Sequence, residues 1–154
     1  MGNKITVTTI VLKNNFSAVK DALKKDTLAK SVMAAGHVVE SYAKINAERV
    51  FSSHALQNLA GSIKTVLVKS TDTNAEADVG PHVPYGAIQE FGGIIKTVHA
   101  AWLQFQTYDG MWHMVKEVHM RAHPYLRPAV DENLDEIRDA AGEQVKRAIE
   151  RGLK

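Results

Sequence analysis

The sequence contains no cysteine, which rules out disulfides, thiolate nucleophiles and Cys-type zinc sites. Aromatic residues make up only 6%, few for a platform on which nucleic-acid bases stack. Neither charge sign dominates: 19 basic residues face 17 acidic ones, a net of +2, so no strong polyanion field is expected. No apolar run exceeds a few residues, which argues against a membrane span, and Met1 to Ile5 lack the charged-then-apolar pattern of a signal peptide. Within these bounds, 154 residues with 45% hydrophobic content predict one soluble domain, 1–154, large enough to bury a core. Loops are expected near 51–62, 70–75 and 92–99.

Hydrophobic spacing predicts the elements. Ile5, Val7, Thr9 and Val11 alternate and suggest a strand over about 4–12, followed by a short helix carrying Phe16, Val19 and Leu23. Leu28, Val32, Ala35, Val39 and Tyr42 recur three and four apart, predicting a helix from Asp26-Thr27 to about Val50. Gly36 inside it costs about 1 kcal/mol relative to Ala, which points to a close neighbour at that position. A strand over 63–70, a polar turn and a returning strand over 76–80 follow. Tyr85 to Phe91 read as a short helix closed by Gly92-Gly93, and 93–100 as a loop.

Asp109-Gly110 is a preferred pair for a two-residue type I′ turn and predicts a hairpin over 99–120. That register pairs Thr107 with Trp112, Phe105 with Met114, Leu103 with Lys116 and Ala101 with Val118 on an inner face. It leaves Trp102, Gln104, Gln106, His113, Val115, Glu117 and His119 on the other. A long helix near 124–150 closes the chain, its apolar stripe running from Leu126 to Ala148 with acidic residues early and basic ones late. The expected class is α+β: a mostly antiparallel sheet with the long helix near 27–50 and the C-terminal helix packed on one face.

Two segments stand out: Val83-Pro84-Tyr85-Gly86-Ala87-Ile88-Gln89-Glu90-Phe91-Gly92-Gly93 and His123-Pro124-Tyr125-Leu126-Arg127-Pro128-Ala129. Both consist of residues that set chain direction and fill gaps. Neither holds a nucleophile beside a base, a metal-ligand spacing or a phosphate loop. Their order, P-Y-x-x-x-x-E-F-G-G, then a hairpin, then P-Y-L-R-P-A, resembles the tail-completion or head–tail joining (neck) proteins of long-tailed bacteriophages. Upstream, Leu56-Gln57-Asn58-Leu59-Ala60-Gly61-Ser62-Ile63 is similar to that family's T-G-x-L-x-x-S-I segment, with Ser53-His54 in place of the usual Thr-Gly pair.

The resemblance implies a virion protein that completes or caps the tail and joins it to the neck. It would be made in the host cytoplasm, assemble as a ring around the genome channel, and touch the tail tube and neck or connector proteins. By that likeness Pro84, Tyr85, Glu90, Phe91 and Gly92 form the first structural motif, and Pro124, Tyr125, Leu126, Arg127 and Pro128 the second. The candidate interface is Gly93, Lys96, Trp102, Gln104, Gln106, Tyr108 and His113, whose mixed polar and aromatic character suits a contact surface. An assembly factor that leaves the finished particle is the alternative.

Rival chemistries are weaker. His113, Glu117 and His119 share one predicted strand face, but strand residues four apart lie roughly 13 Å apart, so only Glu117 and His119 could approach one ion. Ser52-Ser53-His54 has no G-x-S-x-G elbow or oxyanion loop beside it. Glu90 reads as a hydrogen-bond acceptor rather than a general acid. Lys13, Lys20, Lys24, Lys25 and Lys30 could line a basic face, but solvated helix lysines account for them. The expectation is no enzyme activity, no cofactor, no metal, and at most nonspecific contact with DNA in a channel.

Overall fold

The computed structural model describes residues 24–50, 57–107 and 109–152. The expected strand at 4–12, the short helix after it and Tyr108 lie outside the described residues. The described residues divide into two compact units, one made of those up to Val83 together with those from Tyr125 onward, the other of those within Pro84–Pro124.

The first unit is built on helix α1 (Lys25–Val50). Leu28, Val32, Ala35, Val39, Ala43 and Ala47 are buried along it, three and four residues apart. The stripe therefore continues through alanines rather than turning to Tyr42. Tyr42 sits beside it, donating its hydroxyl to Glu136 Oε2 at 2.7 Å, and that carboxylate raises the phenol pKa. Small residues along the stripe let backbones approach closely.

Helix α1 packs against the antiparallel ribbon of β1 (Ile63–Ser70) and β2 (Ala75–Pro81), and also against α4 (Leu126–Asp131) and α5 (Leu134–Gly152). Leu28 and Val32 meet Ala75 and Ala77 in one core cluster, while Ser31 Oγ donates to the Ala141 carbonyl at 2.8 Å. Thr71 closes the turn between the strands through its main-chain and hydroxyl bonds to the Asn74 carbonyl.

Two expectations need correction in this unit. The segment 51–62, expected to be a polar break, ends in a short helix, α2 (Gln57–Ser62). Leu59 in it and Ile63 just after it are fully buried, so apolar burial overrides the polar composition. The C-terminal helix is two helices, α4 and α5. Asn133 stops the first: its Nδ2 donates to the Ala129 carbonyl at 3.1 Å, and its N–H bonds back only three residues, to Val130 O at 3.2 Å. A side chain that satisfies the backbone locally competes with the helical ladder. The second helix restarts at once, with Ile137 N donating to Asn133 O at 3.0 Å.

The neighbour expected at Gly36 is Thr65 of β1. A Cβ at Gly36 would overlap Thr65 Cγ2. One helical turn on, Glu40 accepts a bond from Thr65 N–H at 2.8 Å and another from Lys44 Nζ at 2.6 Å. Burial alone would raise the Glu40 pKa, but these donors and the Lys44 charge outweigh it and hold the carboxyl at about 2. Helix and strand are thus locked together where they come closest.

This contact sets the sign of a substitution. On helix propensity alone Gly36→Ala would stabilise by about 1 kcal/mol. The overlap with Thr65 should reverse that, giving a net loss of about 1–2 kcal/mol, as overpacking does. Adding Thr65→Ala removes the obstructing methyl, so the double variant should recover most of the stability that Gly36→Ala loses. Urea midpoints measure both, and a Gly36→Ala protein more stable than wild type would disprove the close contact.

Candidate functional site

The second unit begins with α3 (Gly86–Phe91), entered through Pro84 and Tyr85 and closed by Gly92. Gly92 adopts φ 68°, ψ −175°, a combination open only to glycine. A Cβ there would lie 2.7 Å from Ala122 N and 2.9 Å from Met120 O. The first motif therefore ends in a glycine because the chain returning at 120–122 crosses directly over it. His123 N–H then donates to Gln89 O at 2.7 Å, pinning the return to the helix.

Burial within this motif falls on Gly86, Gln89 and Glu90. Phe91 of the first motif is half-exposed at 49%. Sequence reasoning missed Gln89, since nothing in a lone glutamine signals that its carbonyl will be met from 34 positions away.

The expected hairpin is divided in two. β3 (Gly93–Lys96) occupies the supposed loop and pairs antiparallel with β6 (Glu117–Met120), while β4 (Leu103–Gln106) pairs with β5 (Trp112–Val115). Lys96 faces Glu117 across the first ladder with a 3.3 Å ion pair, a cross-strand match that favours this partner for β6. His119 Nε2 lies 3.1 Å from Glu117 Oε1. With a histidine and a lysine on it, the Glu117 carboxyl is held below the usual carboxylate range.

The register of the other ladder is one residue away from expectation. Leu103 faces Val115, Gln104 faces Met114, Phe105 faces His113 and Gln106 faces Trp112. The physical cause is the turn. Thr107 N–H donates to Met111 O at 2.9 Å and Gly110 N–H to Thr107 O at 2.9 Å, so the turn closes on Thr107 and Met111 instead of the expected two-residue loop. Gly110 has φ 82°, whereas no non-glycine among the described residues has positive φ. A two-residue type I′ turn would need positive φ at Asp109 as well. Asp109 instead accepts from the Thr107 hydroxyl and from Met111 N–H, bonds that hold its carboxyl ionised below the ordinary range. Gln106 Nε2 adds a bond to the Gly110 carbonyl at 2.8 Å.

The one-residue shift exchanges the faces. Leu103, Phe105, His113 and Val115 are half-buried together, with the His113 ring stacked on Phe105 at 5.5 Å between centroids and its Nε2 3.1 Å from Thr107 Oγ1. Gln104, Gln106, Trp112 and Met114 point the other way, exposed. His113 therefore leaves the candidate interface, and Trp112 and Met114 enter it. Met111 beside them is 60% exposed, Trp112 64% and Met114 61%. Trp102 is exposed with Lys116 Nζ 5.4 Å from its ring centroid, a cation–π contact. Gly93 and Lys96 are exposed in β3.

The second motif lies in the first unit. Tyr125 is fully buried at the start of α4, and its carbonyl accepts a bond from Asn46 Nδ2 at 3.2 Å. Ala129 is buried one turn later, Leu126 and Pro128 are half-buried, and Pro124 and Arg127 are exposed. Both motifs thus work mainly as chain-routing and core elements.

Among the described residues, no group of three or more His, Asp or Glu is placed to hold a metal ion, and no helix is long and apolar enough to cross a membrane. What this surface offers is a contact face: outward Trp and Met side chains between two glutamines, on a turn fixed by its own hydrogen bonds.

No curated protein and no solved structure gave a match to the chain. The model of one family, described as "Bacteriophage HK97-gp10, putative tail-component", matches residues 11–92, which is just over half of the chain and includes the Pro84–Gly92 motif. The chain belongs to this HK97-gp10-like family of phage tail components.

Proposed function

We propose that this tail component acts at the head–tail interface, completing or capping the tail and joining it to the neck as one subunit of a ring around the genome channel. It works by surface fit rather than by turning over a substrate. Its partners are further copies of itself, the tail tube and the neck or connector proteins, with at most nonspecific contact to DNA. The observation that carries this reading is the outward set Met111, Trp112 and Met114, at 60–64% exposure on a hairpin whose turn leaves them no inward alternative. Large apolar side chains displayed together on a rigid ladder are the mark of a contact surface. The resemblance of both motifs to tail-completion proteins supports the more specific placement.

A phage lacking the gene tests it. Full heads and finished tails that fail to join are expected, with infectious titre falling by orders of magnitude. Normal joined particles from the knockout would overturn the proposal. Mass spectrometry of wild-type particles should find the chain in the virion; its absence there would instead mark an assembly factor.

A further inference from the structure

With no cysteine in the sequence, its sulfur lies in five methionines, of which Met1 is outside the described residues. The other four fall into two classes. Met33 is half-buried and packs against the core cluster of Leu28, Val32, Ala75 and Ala77, and Met120 is half-buried in β6. Met111 and Met114 are instead 60% and 61% exposed, on either side of Trp112 in sequence. Both are held there. The Met111 carbonyl accepts the Thr107 N–H at 2.9 Å, and its own N–H donates to Asp109 Oδ1 at 3.2 Å. Met114 is set outward by the ladder, opposite exposed Gln104.

We propose that Met111 and Met114 are modification sites: a peroxide oxidises both thioethers to sulfoxides and turns the contact face polar while the fold stays intact. In each case a lone pair on Sδ attacks one peroxide oxygen. The S–O bond forms as the O–O bond breaks, and the other oxygen takes up the proton of the first and leaves as water. The sulfur loses two electrons and the peroxide gains them. A polar, chiral side chain then replaces an apolar one, a change that disrupts Met-rich interfaces and that sulfoxide reductases reverse. The face tolerates the new oxygen because both side chains already meet solvent, and the Gln104 amide opposite Met114 is a hydrogen-bond donor. At Met33 the same oxygen would enter a packed core, where a polar group without a partner is costly. The proposal deepens the reading above, on which it rests for its consequence: it names the chemistry that would shut the face used for joining.

The sequence makes a direct test possible. The full-length protein is treated with limiting hydrogen peroxide and digested with trypsin. Cleavage after Lys30, Lys44, Lys96, Lys116 and Arg121 puts Met33 and Met120 on separate peptides and Met111 with Met114 on a third, where fragmentation assigns each oxygen. Sulfoxides at Met111 and Met114 should form about five times faster than at Met33 and Met120, as exposure dictates. Protein oxidised at those two positions should melt with wild type and elute earlier from a hydrophobic column, and sulfoxide reductases should restore its elution. The Met111→Leu, Met114→Leu double variant, compared before and after the same treatment, should not shift.

Equal rates at all four sites, an unshifted elution once both sulfoxides have formed, or a lowered melting temperature would each overturn the proposal. Joining is read separately, by adding treated protein to full heads and finished tails from a phage lacking the gene. It should fall about tenfold, the scale of one uncompensated polar group in an apolar contact, and return after reduction. Treated protein that joins them as well as untreated protein would overturn the shutting of the face. Heads and tails that join without any added protein would defeat the head–tail reading alone, since the rates and the elution do not depend on it.

Discussion

Replacing Tyr125 with alanine should cost about 3–5 kcal/mol, the usual range for deleting a large buried aromatic side chain. Tyr125 is among the largest fully buried side chains of the chain. It stands at the point where the polypeptide re-enters the first unit after residues 84–124, and its carbonyl is held by Asn46 of α1. The truncation leaves a cavity beneath α4, and rigid small neighbours such as Ala129, itself fully buried, offer little with which to fill it. Tyr125→Phe keeps the ring and should lose no more than about 1.5 kcal/mol, the scale of one net hydrogen bond. Chemical denaturation of the two variants checks the ordering. An alanine variant within about 0.5 kcal/mol of wild type would show that the side chain is not the core anchor, since that is the size of an ordinary surface change.

The second large effect is expected at Gly92. Any L-residue there must adopt φ 68° with an extended ψ, which costs about 1–3 kcal/mol. It must also displace main-chain atoms of Met120 and Ala122 rather than a flexible side-chain tip. Gly92→Ala should therefore destabilise by about 3 kcal/mol or more, adding a steric cost of the overpacking kind. Both tryptophans, Trp102 and Trp112, lie within residues 84–124, so fluorescence reports on this unit directly. The expected signature is a large shift of the tryptophan-detected transition to lower denaturant. A tryptophan signal unchanged from wild type would show that the crossing at Gly92 is loose.

Much of this architecture was legible from spacing. The α1 stripe, the β1–β2 ribbon with its polar turn, the helix ended by Gly92 and the need for a neighbour at Gly36 all follow from local patterns that the structure repeats. What spacing missed depended on choices between near-equal local options. Asp-Gly suits a two-residue turn and also the end of a longer one, and only the bonds of Thr107 and Gln106 decide between them. That choice inverted the hairpin faces, so His113 was assigned outward and Trp112 and Met114 inward. The pairing of β6 with β3 rather than with 99–102 depended on a long-range match, Lys96 with Glu117, which no local window contains. The stop at Asn133 was hidden because the apolar stripe runs on across it. The family likeness was legible in Pro84–Gly92, which lies within the matched 11–92 segment.

One further property follows from how the second unit is strung. A single residue, Lys116, separates β5 from β6, so the display hairpin and the β3–β6 ladder are joined without slack. A pull on the hairpin by a bound neighbour passes straight along the backbone into β6, and from its end to the crossing under Gly92. There the His123–Gln89 bond transmits it to α3. Displacing the hairpin therefore also loads the tight crossing at Gly92 that closes α3.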